Sequence, residues 1–126
     1  MSVLVDSSVW IDFLSGRPSP HLERALEDGV VVLPPVVLAE LMSGARTSRE
    51  RAALNEAIAD LPLHPTPREH WVRVGELRRG LATKGISVSV PDAHVAQCAL
   101  DGAALLLTRD AVFTSIAEHT ALRLVS

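Results

Sequence analysis

A chain of 126 residues and 13.5 kDa, 48% of them hydrophobic, has room for one core and needs neither a disulfide nor a structural metal to hold it. Cys98 is the only cysteine, which excludes an intramolecular disulfide and fits a reducing compartment, so the expected location is the cytoplasm. The longest uncharged stretch, residues 29–39, holds Pro34 and Pro35 and falls well short of the ~20 residues that cross a bilayer, which argues against a membrane role. A net charge of −3 lacks the basic surface of a constitutive nucleic-acid binder.

In chain order, Val3-Leu4-Val5 reads as a short buried strand, the first of four apolar, branched runs. Val9, Trp10, Phe13 and Leu14 give a helix one apolar face, and Gly16 and Pro18 end it. A second helix is expected from Pro20 to Asp28, with Gly29 as its stop, followed by a strand over Val30–Leu33. Pro34-Pro35 opens a nearly all-apolar helix through Met42, and Ser48–Leu61 supplies another with Leu54 and Ile58 turned inward. Pro67 begins a long helix whose apolar face is expected to carry Trp71, Val74, Leu77 and Leu81. Residues 84–89 read as a loop or edge strand, Pro91–Leu100 as a helix, and 104–107 and 122–125 as the last two strands. Strands separated by helices of this length need crossover connections. The pattern therefore predicts one domain over residues 1–126, a three-layer α/β/α sandwich with a mostly parallel central sheet. Trp10, Phe13, Trp71 and Cys98 are read as core.

Four carboxylates stand out from this frame. Asp6 follows the first strand and Asp110 follows the 104–107 strand by way of Thr108-Arg109, so both belong at carboxyl ends, where open parallel sheets bind ligands. Each Asp is also placed to cap the helix that follows it. Asp92 falls in the first turn of the helix opened by Pro91, where the helix dipole alone would favour it. Glu40 is the lone acid of an apolar helix and shares a side with Ser43, Gly44 and Thr47. Four like charges in one cleft imply raised pKa values or a bound cation, and oxygen-only ligands select Mg²⁺ or Mn²⁺. Zinc is disfavoured, because the five histidines show no paired ligand spacing and Cys98 has no thiol partner.

The runs Val5-Asp6-Ser7-Ser8-Val9-Trp10-Ile11-Asp12, Ala39-Glu40-Leu41 with Gly44, Pro91-Asp92-Ala93-His94-Val95-Ala96, and Leu107-Thr108-Arg109-Asp110 with Phe113 carry a resemblance over nearly the whole chain. In their order and spacing the sequence resembles the PIN-domain ribonucleases, and especially the VapC-type toxins of bacterial toxin–antitoxin pairs. The resemblance implies that Asp6, Glu40, Asp92 and Asp110 form the metal site, with Ser8 and Thr108 supporting the carboxylates. It also implies an RNA substrate, a 5′-phosphate product, a VapB-like antitoxin and a homodimer. Val112 stands where some members carry a further acid, and His94, where an aliphatic residue is common, reads as a surface residue.

The expected chemistry is metal-assisted hydrolysis of a phosphodiester, with Asp92 or Glu40 orienting the attacking water. Arg46, Arg49, Arg51, Arg73, Arg78 and Arg79 are available to meet flanking phosphates, or are ordinary solvated helix faces. Two other classes fit less well. A phosphoacceptor receiver domain wants adjacent acids after its first strand and a lysine after its last, yet Ser7 follows Asp6 and the only lysine is Lys84. A phosphatase with an Asp-x-Asp nucleophile pair fails at Ser8. A binding module of the same fold without turnover is separated from an enzyme by a nuclease assay.

Overall fold

The computed structural model describes all 126 residues. Its order is β1 (Val3–Val5), α1 (Ser7–Leu14), α2 (Pro20–Glu27), β2 (Val31–Val32), α3 (Pro35–Gly44), α4 (Ser48–Ile58), α5 (Arg68–Ala82), α6 (Val90–Asp101), β3 (Leu105–Leu107), α7 (Val112–His119) and β4 (Arg123–Leu124). The four strands form one sheet in the order β2-β1-β3-β4, and every pairing is parallel. Helical crossovers cover the sheet in an α/β/α arrangement, and the strand residues Leu4, Val5, Leu106 and Leu107 are buried, as apolar runs without alternation require.

Local chemistry sets the helix starts. Pro20, Pro35 and Pro91 stand at first-turn positions where a missing N–H costs nothing, while Thr47 and Ser89 accept side-chain hydrogen bonds from the N–H groups of Glu50 and Asp92. Gly29 follows α2 at φ +67°, a left-handed turn into β2 that a side chain would strain.

Residues 84–89 form a turn and loop with no strand pairing, one of the two forms expected of them. Two expectations are corrected. The inward face of α5 is His70, Val74 and Leu81, with Leu77 partly covered, and Trp71 is 44% exposed. His94 is no surface residue: its ring is fully buried, between His70 and a stacked Trp71 whose centroid lies 4.7 Å away. Trp10 and Cys98 are core, Trp10 edge-on to Phe13, although the indole N–H of Trp10 has no hydrogen-bond partner.

Candidate active site

β1 and β3 are neighbours, so the segments leaving their carboxyl ends leave side by side; the Asp6 N–H donates to the Leu107 carbonyl at 2.9 Å. From β1 the chain moves to β2 on one side, and β3 later adds on the other. The carboxyl ends of β1 and β3 therefore flank the topological switch point of the sheet.

Asp6 is the fixed centre of the site. It is 5% exposed, and its Oδ2 accepts hydrogen bonds from Ser8 Oγ and Thr108 Oγ1, each at 3.0 Å. Both hydroxyls are held in turn by the backbone. Arg109 N–H donates to Ser8 Oγ at 3.1 Å and Asp110 N–H to Thr108 Oγ1 at 3.0 Å, which directs each hydroxyl proton toward the carboxylate. Asp6 precedes α1 without capping it through its side chain, and Oδ1 keeps its lone pairs for a ligand. Asp110 Oδ1 accepts from Val112 N–H at 3.0 Å in a local turn ahead of α7, whose N-cap position is taken by Ala111, and the residue stays exposed at the edge of the site.

Asp92 and Glu40 complete the acidic group from α6 and α3. Burial pushes the Asp92 carboxyl up, the Ser89 hydroxyl offsets part of the shift, and the charges of Asp110 and Asp6 push it up further. Glu40 lies on the exposed stripe of α3 with Ser43 and Gly44, and its carboxyl is raised by desolvation and by the charges of Asp6 and Asp92. The Ser7 hydroxyl lowers it in part, a supporting role the sequence reading did not assign. The four sequence-selected acids therefore share one electrostatic neighbourhood, and their mutual repulsion is the signature of a site short of positive charge. The donor set is all oxygen, partly exposed and partly preformed, and so fits a hard divalent cation.

The expected phosphate-facing arginines separate into two groups. Arg73 clasps Asp101 through Nε at 2.8 Å and a terminal nitrogen at 3.0 Å, and Arg78 donates to the Val88 carbonyl at 2.8 Å; both serve the fold. Arg46, Arg49 and Arg51 remain exposed where α3 passes into α4, and Arg79 is exposed on α5. Arg109, between Thr108 and Asp110, was missed; its Nε lies 3.1 Å from Asp12 Oδ2, and Arg17 meets the other Asp12 oxygen at 3.3 Å.

The parallel α/β/α sheet carries its acidic group at the switch point, the edge where open sheets of this kind bind ligands. A profile of the PIN domain matches residues 3–119, and the chain belongs to that family. A comparison with curated proteins finds no match. Among solved structures, the fold is similar to VapBC2 from Rickettsia felis bound to a promoter DNA fragment, at TM-score 0.85 and 20% identity over 99% of this chain and 98% of that one. DNA-bound VapBC from Salmonella typhimurium gives TM-score 0.85 and 23% identity over 99% and 97%. VapBC-5 from Mycobacterium tuberculosis, of the VapBC family of toxin–antitoxin systems, gives TM-score 0.72 and 25% identity over 99% and 98%.

Proposed function

We propose that this chain is a single nuclease domain that hydrolyses RNA phosphodiester bonds with Mg²⁺, or Mn²⁺ in its place, as the toxin of a type II toxin–antitoxin pair. The observation that carries this reading is Asp6, anchored by two hydroxyls on one oxygen and open on the other, beside Glu40 and Asp92, whose carboxyls are raised by burial and by the neighbouring charges. Membership of the PIN family and likeness to VapBC complexes support the nuclease class and a VapB-like antitoxin partner.

Asp6, Asp92, Asp110 and Glu40 would hold the cation, which supplies charge neutralisation and polarisation of a phosphoryl oxygen. Ser8 and Thr108 keep the Asp6 carboxylate from rotating, and the Arg109 and Asp110 amides keep those hydroxyls aimed. Glu40, raised and at the open side, can accept a proton from the attacking water. Arg46, Arg49, Arg51 and Arg109 supply positive charge for flanking phosphates, which answers the overall negative charge of the chain.

The test is incubation of the antitoxin-free protein with total RNA, with and without Mg²⁺, and mapping of the cleaved ends. Cleavage should require Mg²⁺ or Mn²⁺, leave 5′-phosphates, and vanish in Asp6→Asn and Asp92→Asn while circular dichroism stays native. Activity that persists in excess chelator, or in either variant, would overturn the assignment.

A further inference from the structure

Outside the acidic cleft, a second cluster of ligand-type side chains lies where the connection between α4 and α5 meets α5 and α6. His64, His70 and Cys98 each bring a donor atom to within 4.8 Å of the others. Three different constraints place them. An isolated parallel bridge between Leu33 and Leu63 pins the connection beside β2, with Leu33 N–H donating to the Pro62 carbonyl and His64 N–H to the Leu33 carbonyl, both at 2.8 Å. His70 enters from the first turn of α5, and Cys98 from the last turn of α6. The His64 ring packs beside Gly102, where a Cβ would stand 3.4 Å from His64 Cε1.

His70 is oriented as metal-ligating histidines are. Its Nδ1 lies 2.9 Å from Asp101 Oδ2, and Asp101 is itself gripped by Arg73 and by Gln97 Nε2 at 2.8 Å. Against the upward push of burial, these hydrogen bonds hold the Asp101 carboxyl well below the usual carboxylate range. An ionised carboxylate only accepts, so Nδ1 carries the ring proton and Nε2 presents its lone pair, 4.0 Å from Cys98 Sγ. In the metal-free chain that lone pair accepts from His94 Nδ1–H at 2.8 Å, and His94 Nε2 accepts from Val36 N–H at 3.4 Å. This chain of hydrogen bonds accounts for burying two imidazoles. Cys98 Sγ lies 3.7 Å from His94 Nε2 and so joins the same network. What that network leaves without a role is His64, whose ring hydrogen-bonds to nothing in the protein yet brings a donor atom within 4.8 Å of those of His70 and Cys98.

We propose that His64, His70 and Cys98 form a binding site for a borderline-soft divalent cation of the Zn²⁺ class, separate from the acidic cleft. Two nitrogens and a sulfur select such an ion over Mg²⁺, and the fourth tetrahedral position falls to water on the side of half-buried His64. On binding, the Cys98 S–H bond breaks, its proton leaves to solvent, and sulfur bonds the metal; His70 exchanges its hydrogen bond from His94 for the ion. His94 and Asp92 are two residues apart, hence on opposite sides of α6. The ion would brace, from behind, the helix that carries Asp92.

The experiment uses the full chain stripped with chelator, with Co²⁺ as a spectroscopic probe and Zn²⁺ as competitor. One Co²⁺ per chain should give a thiolate-to-cobalt charge-transfer band, displaced by Zn²⁺ and untouched by excess Mg²⁺ or by Asp6→Asn. Trp71 fluorescence should change with it, because its stacked partner His94 loses its acceptor. Cys98→Ser should abolish the band, and Asp101→Asn should weaken binding about 10- to 100-fold. His64→Ala removes a half-buried ring without breaking a hydrogen bond, so it should stay folded and bind at least ~10-fold more weakly. No thiolate band in wild type, equal affinity in His64→Ala, or binding lost in Asp6→Asn would each overturn the proposal.

Discussion

Asp6 owes its placement to two hydroxyls, one from its own helix and one 102 residues away. Thr108→Val keeps the shape but strands the Asp110 N–H and frees the Asp6 carboxylate to rotate, so activity should fall roughly 10- to 100-fold. Thr108→Ser should restore most of it, and Mg²⁺ titrations of cleavage would show the loss as weaker metal affinity. Asp110→Asn asks a different question, because Asn can still accept from Val112 N–H. The metal-free variant should melt at or above wild type, and the further rise given by Mg²⁺ should shrink. Calorimetric melts in chelator and in graded Mg²⁺ measure both, and an undiminished Mg²⁺ increment would remove Asp110 from the site. These acids were legible because strand ends and helix starts are marked by local sequence. His70 and His94 were not, since a hydrophobicity argument ranks Trp71 above its neighbour and cannot see that Asp101 lies 31 residues on. The cluster of His64, His70 and Cys98 was hidden for the same reason: ligand spacing is read along the chain, and the fold gathers these three from separate elements.

The paired helices α5 and α6 are the most extensively packed elements of the molecule and the place where acid should act first. Burial, and then the neighbouring His70 and His64, push His94 down to about 4. A folded pKa below the unfolded ~6.5 means that the stabilisation is complete above pH ~6.5 and lost as pH falls toward about 4, an effect of up to ~3 kcal/mol. Melting temperatures of the chelated protein should drop steeply across that window, and His94→Gln should flatten the drop; parallel curves would place the acid sensitivity elsewhere. Helix extents were readable from proline starts and apolar period, and β1 was read to the residue. The other strands shortened at their ends, where pairing rather than composition decides. Residues 84–89 resisted assignment because Ile86 and Val88 pack inward from a loop, which imitates a strand's alternation.

At the scale of the whole molecule, the parallel sheet was expected from alternation of strand and helix, and its acidic edge from the places of Asp6 and Asp110 after their strands, whereas the order β2-β1-β3-β4 had to come from pairing. Expression of the chain without a neighbouring antitoxin should arrest growth, and Asp6→Asn should relieve the arrest at equal protein level; growth curves with matched immunoblots decide it. The route by which β1 meets β3 has a consequence for timing. Asp6 is among the first residues synthesised, but Thr108 and Asp110 join it only after the two intervening crossover connections, β1 to β2 and β2 to β3, have been made. A chain emerging from the ribosome thus carries its central carboxylate long before the hydroxyl that locks it. On the proposed function, the site stays incomplete during translation, and the message being read would be spared until the chain that could cut it is nearly finished.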